Sequence, residues 1–330
     1  MKNEIITKSN TISRKSKPYI VAEIGLNHNN DIEIGKRTIQ AAKKAGVDAV
    51  KFQSYITEDF IDANNPEATF LFDIFKKYEL NESSHKTLQK TANEEGIEFF
   101  STPLDLKSVD LLVSLKVPFI KIASGDIVNK LLLTKVAETN IPIFLSTGAA
   151  DFFEVTRAVE FLESKKVQEL VLFHCVSLYP TPKEKLNIKT LELYSEIYTL
   201  PLGFSDHSEG FLGAVLSLGF GTTVFEKHFT LNKKLDGPDH KISADPSELK
   251  EYVSSIHSAF EMLGEKKKIL TENESQGRYY GRRSIYKVNS EILALRPALH
   301  TKSSSYIDSW DIEIAIEKKA QIPQGGVKKL

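Results

Sequence analysis

Two histidines, two lysines and two carboxylates stand at or just beyond the ends of short apolar runs, where side chains can converge on one pocket. His207 follows LGFS (202–205), and His228 closes TVFEKH (223–228). Imidazole is a common ligand of Mn²⁺, Fe²⁺, Co²⁺ and Zn²⁺. With Asp206, Glu226 and Asp239 close in sequence, the pair suits a divalent ion with open positions. Two hydrogen-bonded histidines without metal fit the same spacing. Lys51 and Lys121 each end a run that is otherwise apolar, and lysine is rarely buried without a partner. Two lysines aimed at one pocket imply an anion such as phosphate or carboxylate, which Ser124, Ser146, Thr147 and Ser205 could also bind. Gly125 and Gly148 would let backbone N–H groups come close to it. Internal lysine–carboxylate bridges, or a Schiff-base lysine, are the alternatives. Glu23 and Asp126 are candidates for proton transfer or for neutralising those lysines. His174 and Cys175 are neighbours on one run, and adjacent strand residues face opposite ways. A catalytic pair is therefore not expected there, and Cys175 reads as a packed apolar side chain. In Asn27–His28–Asn29–Asn30 the choice lies between a polar substrate contact and loop capping.

These positions need elements to hold them. Eight β-prone runs begin at 19, 49, 98, 119, 143, 170, 202 and 223. Each is followed by helical periodicity, over 32–45, 83–95, 106–115, 130–138, 152–163, 186–198, 210–218 and 247–263. Gly46, Gly96 and Asn140 read as helix stops. Such alternation predicts parallel strands with helical crossovers. Eight units in about 250 residues predict a TIM (β/α)8 barrel. An open doubly wound sheet is the alternative, and no GxGxxG or GxxxxGK[ST] follows any strand. A barrel brings all eight polar strand ends to one face, where such folds keep their chemistry.

The 330 residues carry 43 Lys plus Arg against 44 Asp plus Glu, a net charge of −1. That balance provides no field for nucleic acid or an anionic membrane. One cysteine, Cys175, rules out an internal disulfide and a cysteine-based zinc site. No apolar run reaches the length of a membrane span. Residues 1–18 lack the apolar stretch of a secretory signal, so the cytoplasm is the expected location. Four regions are expected: an N-terminal polar extension (1–17), a catalytic barrel (18–264), a linker without periodicity (265–283) and a small C-terminal region (284–330). The last contains the β-like pieces SIYKV and DIEIAI.

The strings AEIGLNHNN (22–30), DAVKFQ (48–53), STPLD (101–105), KIASGD (121–126), LSTGAA (145–150), FHCVSLYPTP (173–182), GFSDHSEG (203–210) and EKHFTLNKKLDGPDHKIS (226–243) together resemble the sialic acid synthase (N-acetylneuraminate synthase) family. The resemblance runs from Pro18 to Ser243, one motif per strand. It implies a TIM-barrel enzyme that condenses phosphoenolpyruvate with an N-acylated mannosamine-type sugar, giving a nine-carbon α-keto acid sugar and phosphate. It also implies a divalent metal, Mn²⁺ foremost with Mg²⁺ or Co²⁺ as alternatives, on His207 and His228. Lys51, Lys121, Ser124, Ser146 and Ser205 match positions that hold phosphoenolpyruvate. Glu23 matches an acid/base glutamate, and Asp126 stands where the family often has Glu. Gln53, Tyr179 and Asp239 match positions near the metal or the sugar. Ser177 stands where sialic acid synthases often carry Asn and where related synthases for bacterial sialic-acid-like sugars can carry Ser.

GRRSIY (281–286) and LALRP (293–297) resemble the family's antifreeze-like (SAF-type) domain, shortened here, with ALHTKSSS (298–305) in place of a Gly-rich stretch. The resemblance implies a domain-swapped homodimer in which Arg296 enters the partner's site. The competing readings are a Schiff-base aldolase using Lys121, or a non-catalytic paralogue whose lid has decayed.

Overall fold

The computed structural model describes residues 1–7, 10–288, 291–296 and 310. The chain divides into two compact units, Met1–Gly264 and Glu265–Leu330. In the first, eight parallel strands close into a barrel: β3 (Tyr19–Gly25), β4 (Ala49–Ser54), β5 (Glu98–Pro103), β6 (Ile120–Ile122), β7 (Ile143–Ser146), β8 (Leu170–Cys175), β9 (Leu202–Asp206) and β10 (Thr222–His228), with β10 pairing back onto β3. The expected TIM barrel is thus observed. Its strands are covered by helices outside and filled by side chains inside, which is why they read as near-continuous apolar runs. Phe100, Phe119, Phe144 and Phe173 pack together in the core, with Phe119 and Phe144 stacked at 4.4 Å and Phe144 and Phe173 at 5.3 Å. Gly203 admits the Phe173 ring, because a Cβ there would lie 2.6 Å from it.

Register then sets the chemistry. Glu23 lies beside Lys51 across β3–β4, His228 beside Glu23 across β10–β3, and Glu226 beside Ser205 across β10–β9. The first barrel helix, Ile32–Ala45, is capped by the Asp31 side chain, which accepts from the backbone of Glu33 and Ile34. It stops at Gly46, whose φ of 94° is cheap only for glycine. Two helices start later than the periodicity predicts. One runs over Thr190–Ile197, because Asn187 sits at φ 45°, outside helical space; the other runs over Leu212–Leu218, behind Gly210 at φ 72°.

Three parts of the chain hold elements that were not anticipated. The polar stretch at the N-terminus forms a hairpin of β1 (Glu4–Ile6) and β2 (Thr11–Ser13), in which Ile5 and Ile12 face each other in register and are fully buried. Its contacts are with residues that precede strands. Lys2 N donates to Gln168 O, Asn10 Nδ2 to Asp48 Oδ1, and the Arg14 guanidinium to the carbonyls of Ser195, Tyr198 and Leu200. The hairpin therefore closes the N-terminal end of the barrel and is no loose extension. Between β4 and the helix Glu82–Glu94 the chain also forms the helices Thr57–Phe60 and Thr69–Tyr78. In the second unit, the stretch read as an aperiodic linker holds a helix, Ser275–Gly281. SIYKV forms β11 (Ser284–Val288), antiparallel to β12 (Glu291–Leu295). DIEIAI and ALHTKSSS lie outside the described residues.

Candidate active site

At the C-terminal ends of the barrel strands lies a cavity of about 730 Å³. It is lined by Glu23, Lys51, Gln53, Lys121, Ser124, Asp126, Ser146, Ser177, Tyr179, Ser205, His207, His228 and Asp239. Every barrel residue matched to the family's site is brought to one place, whereas Asp206, Thr147 and the Asn27–Asn30 stretch are not part of its lining. Arg296 belongs to the C-terminal unit, where it is exposed just past β12.

Four buried charges form the floor. Lys51 Nζ is 2.7 Å from Glu23 Oε2 and donates to Thr102 Oγ1 at 2.9 Å. Lys121 Nζ is 2.7 Å from Glu226 Oε2 and sits 4.0 Å above the Phe173 ring. Lys51 is 3.9 Å from the same Glu226 oxygen, and Ser205 Oγ donates to the other at 2.9 Å. The two carboxyls differ in character. Burial raises Glu23, and the attraction of Lys51 only partly offsets it. Burial also acts on Glu226, but Lys121, Lys51 and the Ser205 hydrogen bond outweigh it and bring the group down to about 2. Carboxyls whose environments push them apart in this way are suited to different tasks. Burial pulls Lys121 down against Glu226, while Glu226 and Glu23 together lift Lys51 above its ordinary value despite burial. Asp126 is raised by burial and holds Asn129 Nδ2 at 3.0 Å.

The histidines lie beside this floor, ring centroids 5.5 Å apart, with Tyr179 4.1 Å from His207 and edge-on to His228. His207 Nδ1 pairs with the Val176 carbonyl at 2.8 Å, which places the proton on Nδ1 and leaves the Nε2 lone pair available. Burial and the neighbouring His228 bring His207 to about 3, so the ring is neutral. His228 Nδ1 is buried with no hydrogen-bond partner among the described residues. A lone pair freed by a carbonyl on the other ring nitrogen, next to an orphaned imidazole nitrogen, fits a divalent ion. Among the described residues no three His, Cys, Asp or Glu side chains are grouped as a complete metal site. Two histidines would therefore leave several positions for water and substrate.

Gly25, at φ 52°, lets Asp239 and Glu23 converge: a Cβ there would lie 3.2 Å from a carboxylate oxygen of each. Gly148 does the same for the serines. Its N–H donates to Ser124 Oγ at 3.0 Å, and a Cβ would collide with the Ser124 and Ser177 hydroxyls.

Three expectations need correction. Asp206 does not face the metal side. It follows inward-facing Ser205, so the strand period turns it outward, where Lys227 Nζ lies 3.2 Å away and Ser208 donates twice. Cys175 packs, but against the site: Ser124 Oγ lies 3.7 Å and His207 Nδ1 3.9 Å from its sulfur. Burial holds the thiol above its ordinary value. His174, on the other face, bonds Leu186 O at 2.7 Å. The Asn27–Asn30 stretch neither caps the helix nor reaches the cavity. Asn27 Nδ2 ties down Phe229 O at 2.9 Å and Ser243 Oγ at 2.8 Å.

Thr102 is the residue missed, and Glu226, expected beside the histidines as a metal-side carboxylate, is found between the two lysines. The signal for Glu226 was the period of two from His228, which puts both on the inner face.

Residues 38–268 match the NeuB family. The chain belongs to that family. It is 47% identical over 272 residues to the uncharacterised protein MJ1065 of Methanocaldococcus jannaschii, covering 82% of this chain and 80% of that one. It is 40% identical over 281 residues to the N,N'-diacetyllegionaminic acid synthase of Legionella pneumophila, covering 81% and 79%. A crystal structure of N-acetylneuraminic acid synthetase from Leptospira borgpetersenii, in complex with citrate, superposes with a TM-score of 0.78 at 32% identity, covering 83% and 94%. As a NeuB family member the protein is an enzyme, a phosphoenolpyruvate-dependent transferase that forms a carbon–carbon bond. Among the described residues no helix is long and apolar enough to cross a membrane.

Proposed function

We propose that this enzyme condenses phosphoenolpyruvate with an N-acylated mannosamine-type sugar, breaking the C–O bond to phosphate and giving a nine-carbon sialic acid. The product is N-acetylneuraminate or a legionaminic- or pseudaminic-type relative. The observation that carries the reading is the pair Lys51 and Lys121, both buried and both turned to Glu226 on a cavity floor ringed by hydroxyls.

The floor holds two positive and two negative side chains, so it is balanced before an anion arrives. A phosphoenolpyruvate anion on Lys51, Lys121, Ser124, Ser146 and Ser205 adds negative charge next to Glu23. A like charge pushes a carboxyl further toward its protonated form. Glu23, already raised by burial, would be pushed further in that direction. A divalent ion on His207 and His228, Mn²⁺ first among candidates, would supply Lewis-acid polarisation of the sugar aldehyde when bound. C3 of phosphoenolpyruvate forms a bond to the aldehyde carbon, and the aldehyde oxygen takes its proton from Glu23, which Gln53 Nε2 steadies at 3.2 Å. Water adds at C2 and loses a proton, with Asp126 as the second carrier. The C2–O bond then breaks and phosphate leaves. Ser177, Tyr179 and Asp239 would contact the sugar. In a domain-swapped homodimer Arg296 would reach the other subunit's site and help to exclude water. The cytoplasm, where phosphoenolpyruvate is made, suits this reaction.

The test is a panel assay. The full chain is incubated with phosphoenolpyruvate, Mn²⁺ and several acylated mannosamine-type sugars while phosphate is followed. Sugar-dependent release that stops in EDTA is expected; release from no sugar overturns the reading. Borohydride with pyruvate should trap no adduct on Lys121, whose ammonium is held by Glu226.

A further inference from the structure

Thr147 is a hydroxyl candidate for the anion by its place in the sequence, yet it is no part of the cavity lining. Ser146 lines the cavity, and the strand period turns the next residue outward. The Thr147 hydroxyl is buried nonetheless, and it has two partners. The β7–β8 ladder ends where Ser146 stands beside Phe173. One residue on, the Thr147 side chain takes over from the ladder: its Oγ1 donates to the Phe173 carbonyl at 2.8 Å. A hydroxyl has one proton to give, so Thr147 can only accept from a second partner. That partner is Tyr194, whose Oη donates to it at 3.1 Å. Burial lifts the Tyr194 phenol above its ordinary value, which keeps this donor protonated.

The chain Tyr194–Thr147–Phe173 runs from the helix layer into the barrel wall, and it meets residues proposed for phosphoenolpyruvate at each step. On one side of Thr147 is Ser146. On the other is Gly148, whose N–H holds Ser124 Oγ at 3.0 Å. At the far end the Phe173 ring lies 4.0 Å from the Lys121 ammonium. The near end is equally firm. Tyr194 sits on the helix Thr190–Ile197. Arg14 of the N-terminal hairpin donates to the carbonyls of Ser195, Tyr198 and Leu200, at and beyond that helix's last turn. Buried hydrogen bonds in series polarise one another and hold their groups in one arrangement. A site preset in this way spends less of its binding energy on ordering when the anion arrives.

We propose that Tyr194 is a positioning residue for the phosphoenolpyruvate site: from outside the barrel, through Thr147, it presets Ser146, Ser124 and Lys121 for the anion. The inference rests on the reading of that floor as the phosphoenolpyruvate site. It adds a residue that never touches the substrate.

The experiment titrates phosphoenolpyruvate into the full-length enzyme by calorimetry, without sugar, and pairs this with steady-state rates in Mn²⁺ and an acylated mannosamine-type sugar. Tyr194→Phe keeps the ring and removes one hydrogen bond. It should raise both the Kd and the KM for phosphoenolpyruvate roughly three- to tenfold. Its kcat and sugar KM should stay within about twofold, the split expected when only ground-state binding is lost. Thr147→Val should weaken phosphoenolpyruvate at least as much, and Thr147→Ser should restore it. Adding Tyr194→Phe to Thr147→Val should change nothing more, because the two bonds form one chain. Tyr198→Phe, which removes only a bond to Thr156 Oγ1, is the control and should bind as the wild type does. A Tyr194→Phe enzyme that binds phosphoenolpyruvate unchanged, or effects that add in the double variant, overturns the positioning role and leaves the synthase reading standing. Wild-type enzyme that binds no phosphoenolpyruvate overturns the synthase reading, and this role with it. A Tyr194→Phe enzyme that loses kcat and both affinities alike makes the hydroxyl merely structural and overturns the proposal.

Discussion

Strand β10 carries two buried carboxylate–lysine systems on opposite faces. Inward, Glu226 holds Lys121 at 2.7 Å and touches Lys51 at 3.9 Å. Outward, Lys227 lies 3.2 Å from Asp206, donates to the Ser208 carbonyl and sits 5.3 Å from the Tyr252 ring of the outer helix Pro246–Leu263. Both pairs are almost wholly removed from water, and burial alone does not tell them apart. What differs is what stands opposite. The outer lysine borders a second pocket, but its ammonium is already taken by Asp206, the Ser208 carbonyl and the Tyr252 ring. The inner pair faces other charges, hydroxyls and open space. A buried ion pair marks a binding site when its remaining valences point into a cavity, and fastens the fold when they point into protein.

The largest effect expected from this contrast is between Lys121→Met and Lys227→Met. The inner change should lower kcat/KM by about 10²–10³-fold, as when a donor to a reacting anion is lost. The outer change should cost about 3 kcal/mol or more of stability, since removing one partner strands a buried charge. Activity per folded molecule should stay within about twofold. Urea melts and steady-state rates on both variants check this, and a Lys227→Met enzyme as inactive as Lys121→Met breaks the contrast.

Next come the inward histidines. His207→Ala and His228→Ala should each weaken Mn²⁺ binding by at least about tenfold, read by calorimetry, and lose rate in step. A variant that binds Mn²⁺ as before would remove that residue from the metal.

The outward histidines should act differently. His28 and His240 are buried in the connections after β3 and β10, and His85 on the helix Glu82–Glu94 that follows β4. The last two have both ring nitrogens engaged: His85 by Ser54 and Asn81, His240 by Thr230 and Asn29. Burial, with His85 and His240 nearby, takes His28 down to about 3, whereas an unfolded histidine titrates near 6.5. The unfolded chain therefore binds a proton that the folded one refuses. This stabilisation is complete above about pH 6.5 and is lost as pH falls from there toward 3, by up to about 1.4 kcal/mol per pH unit for one group. Glu23, Asp48 and Asp126, raised by burial, act in the opposite sense. The isolating measurement is the difference in melting between pH 7.5 and 5.5 for wild type and His28→Asn. The variant should show the shallower acid loss; equal slopes contradict the assignment.

The smallest effect concerns the C-terminal unit. Arg296→Ala should raise the sugar KM several-fold with little change for phosphoenolpyruvate. Unchanged sugar kinetics would separate Arg296 from the site.

The barrel was legible because parallel strands buried on both faces leave unbroken apolar runs, and their polar ends stand out against them. YIVAEI and TVFEKH show this plainly. The N-terminal hairpin was not legible. Its strands are three residues long, each with one fully buried isoleucine, which is too short for a period to emerge from polar surroundings. The helix Thr69–Tyr78 escaped because TFLFDIFKKY serves a local cluster with Tyr55 and Leu26, apart from the main core. At the site, the types and places of Lys51, Lys121, His207 and His228 could be read from the chain. Which carboxylates meet them depended on strand face: Glu226 turns in, and Asp206, one residue past Ser205, turns out.

The central claim is carbon–carbon bond formation from phosphoenolpyruvate with C–O cleavage. The direct measurement places ¹⁸O in the oxygen bridging C2 and phosphorus, then follows the label during turnover with an acylated mannosamine-type sugar. The label should leave in the released phosphate, and only when sugar is present. Phosphate without the label, or equal release without sugar, would contradict it.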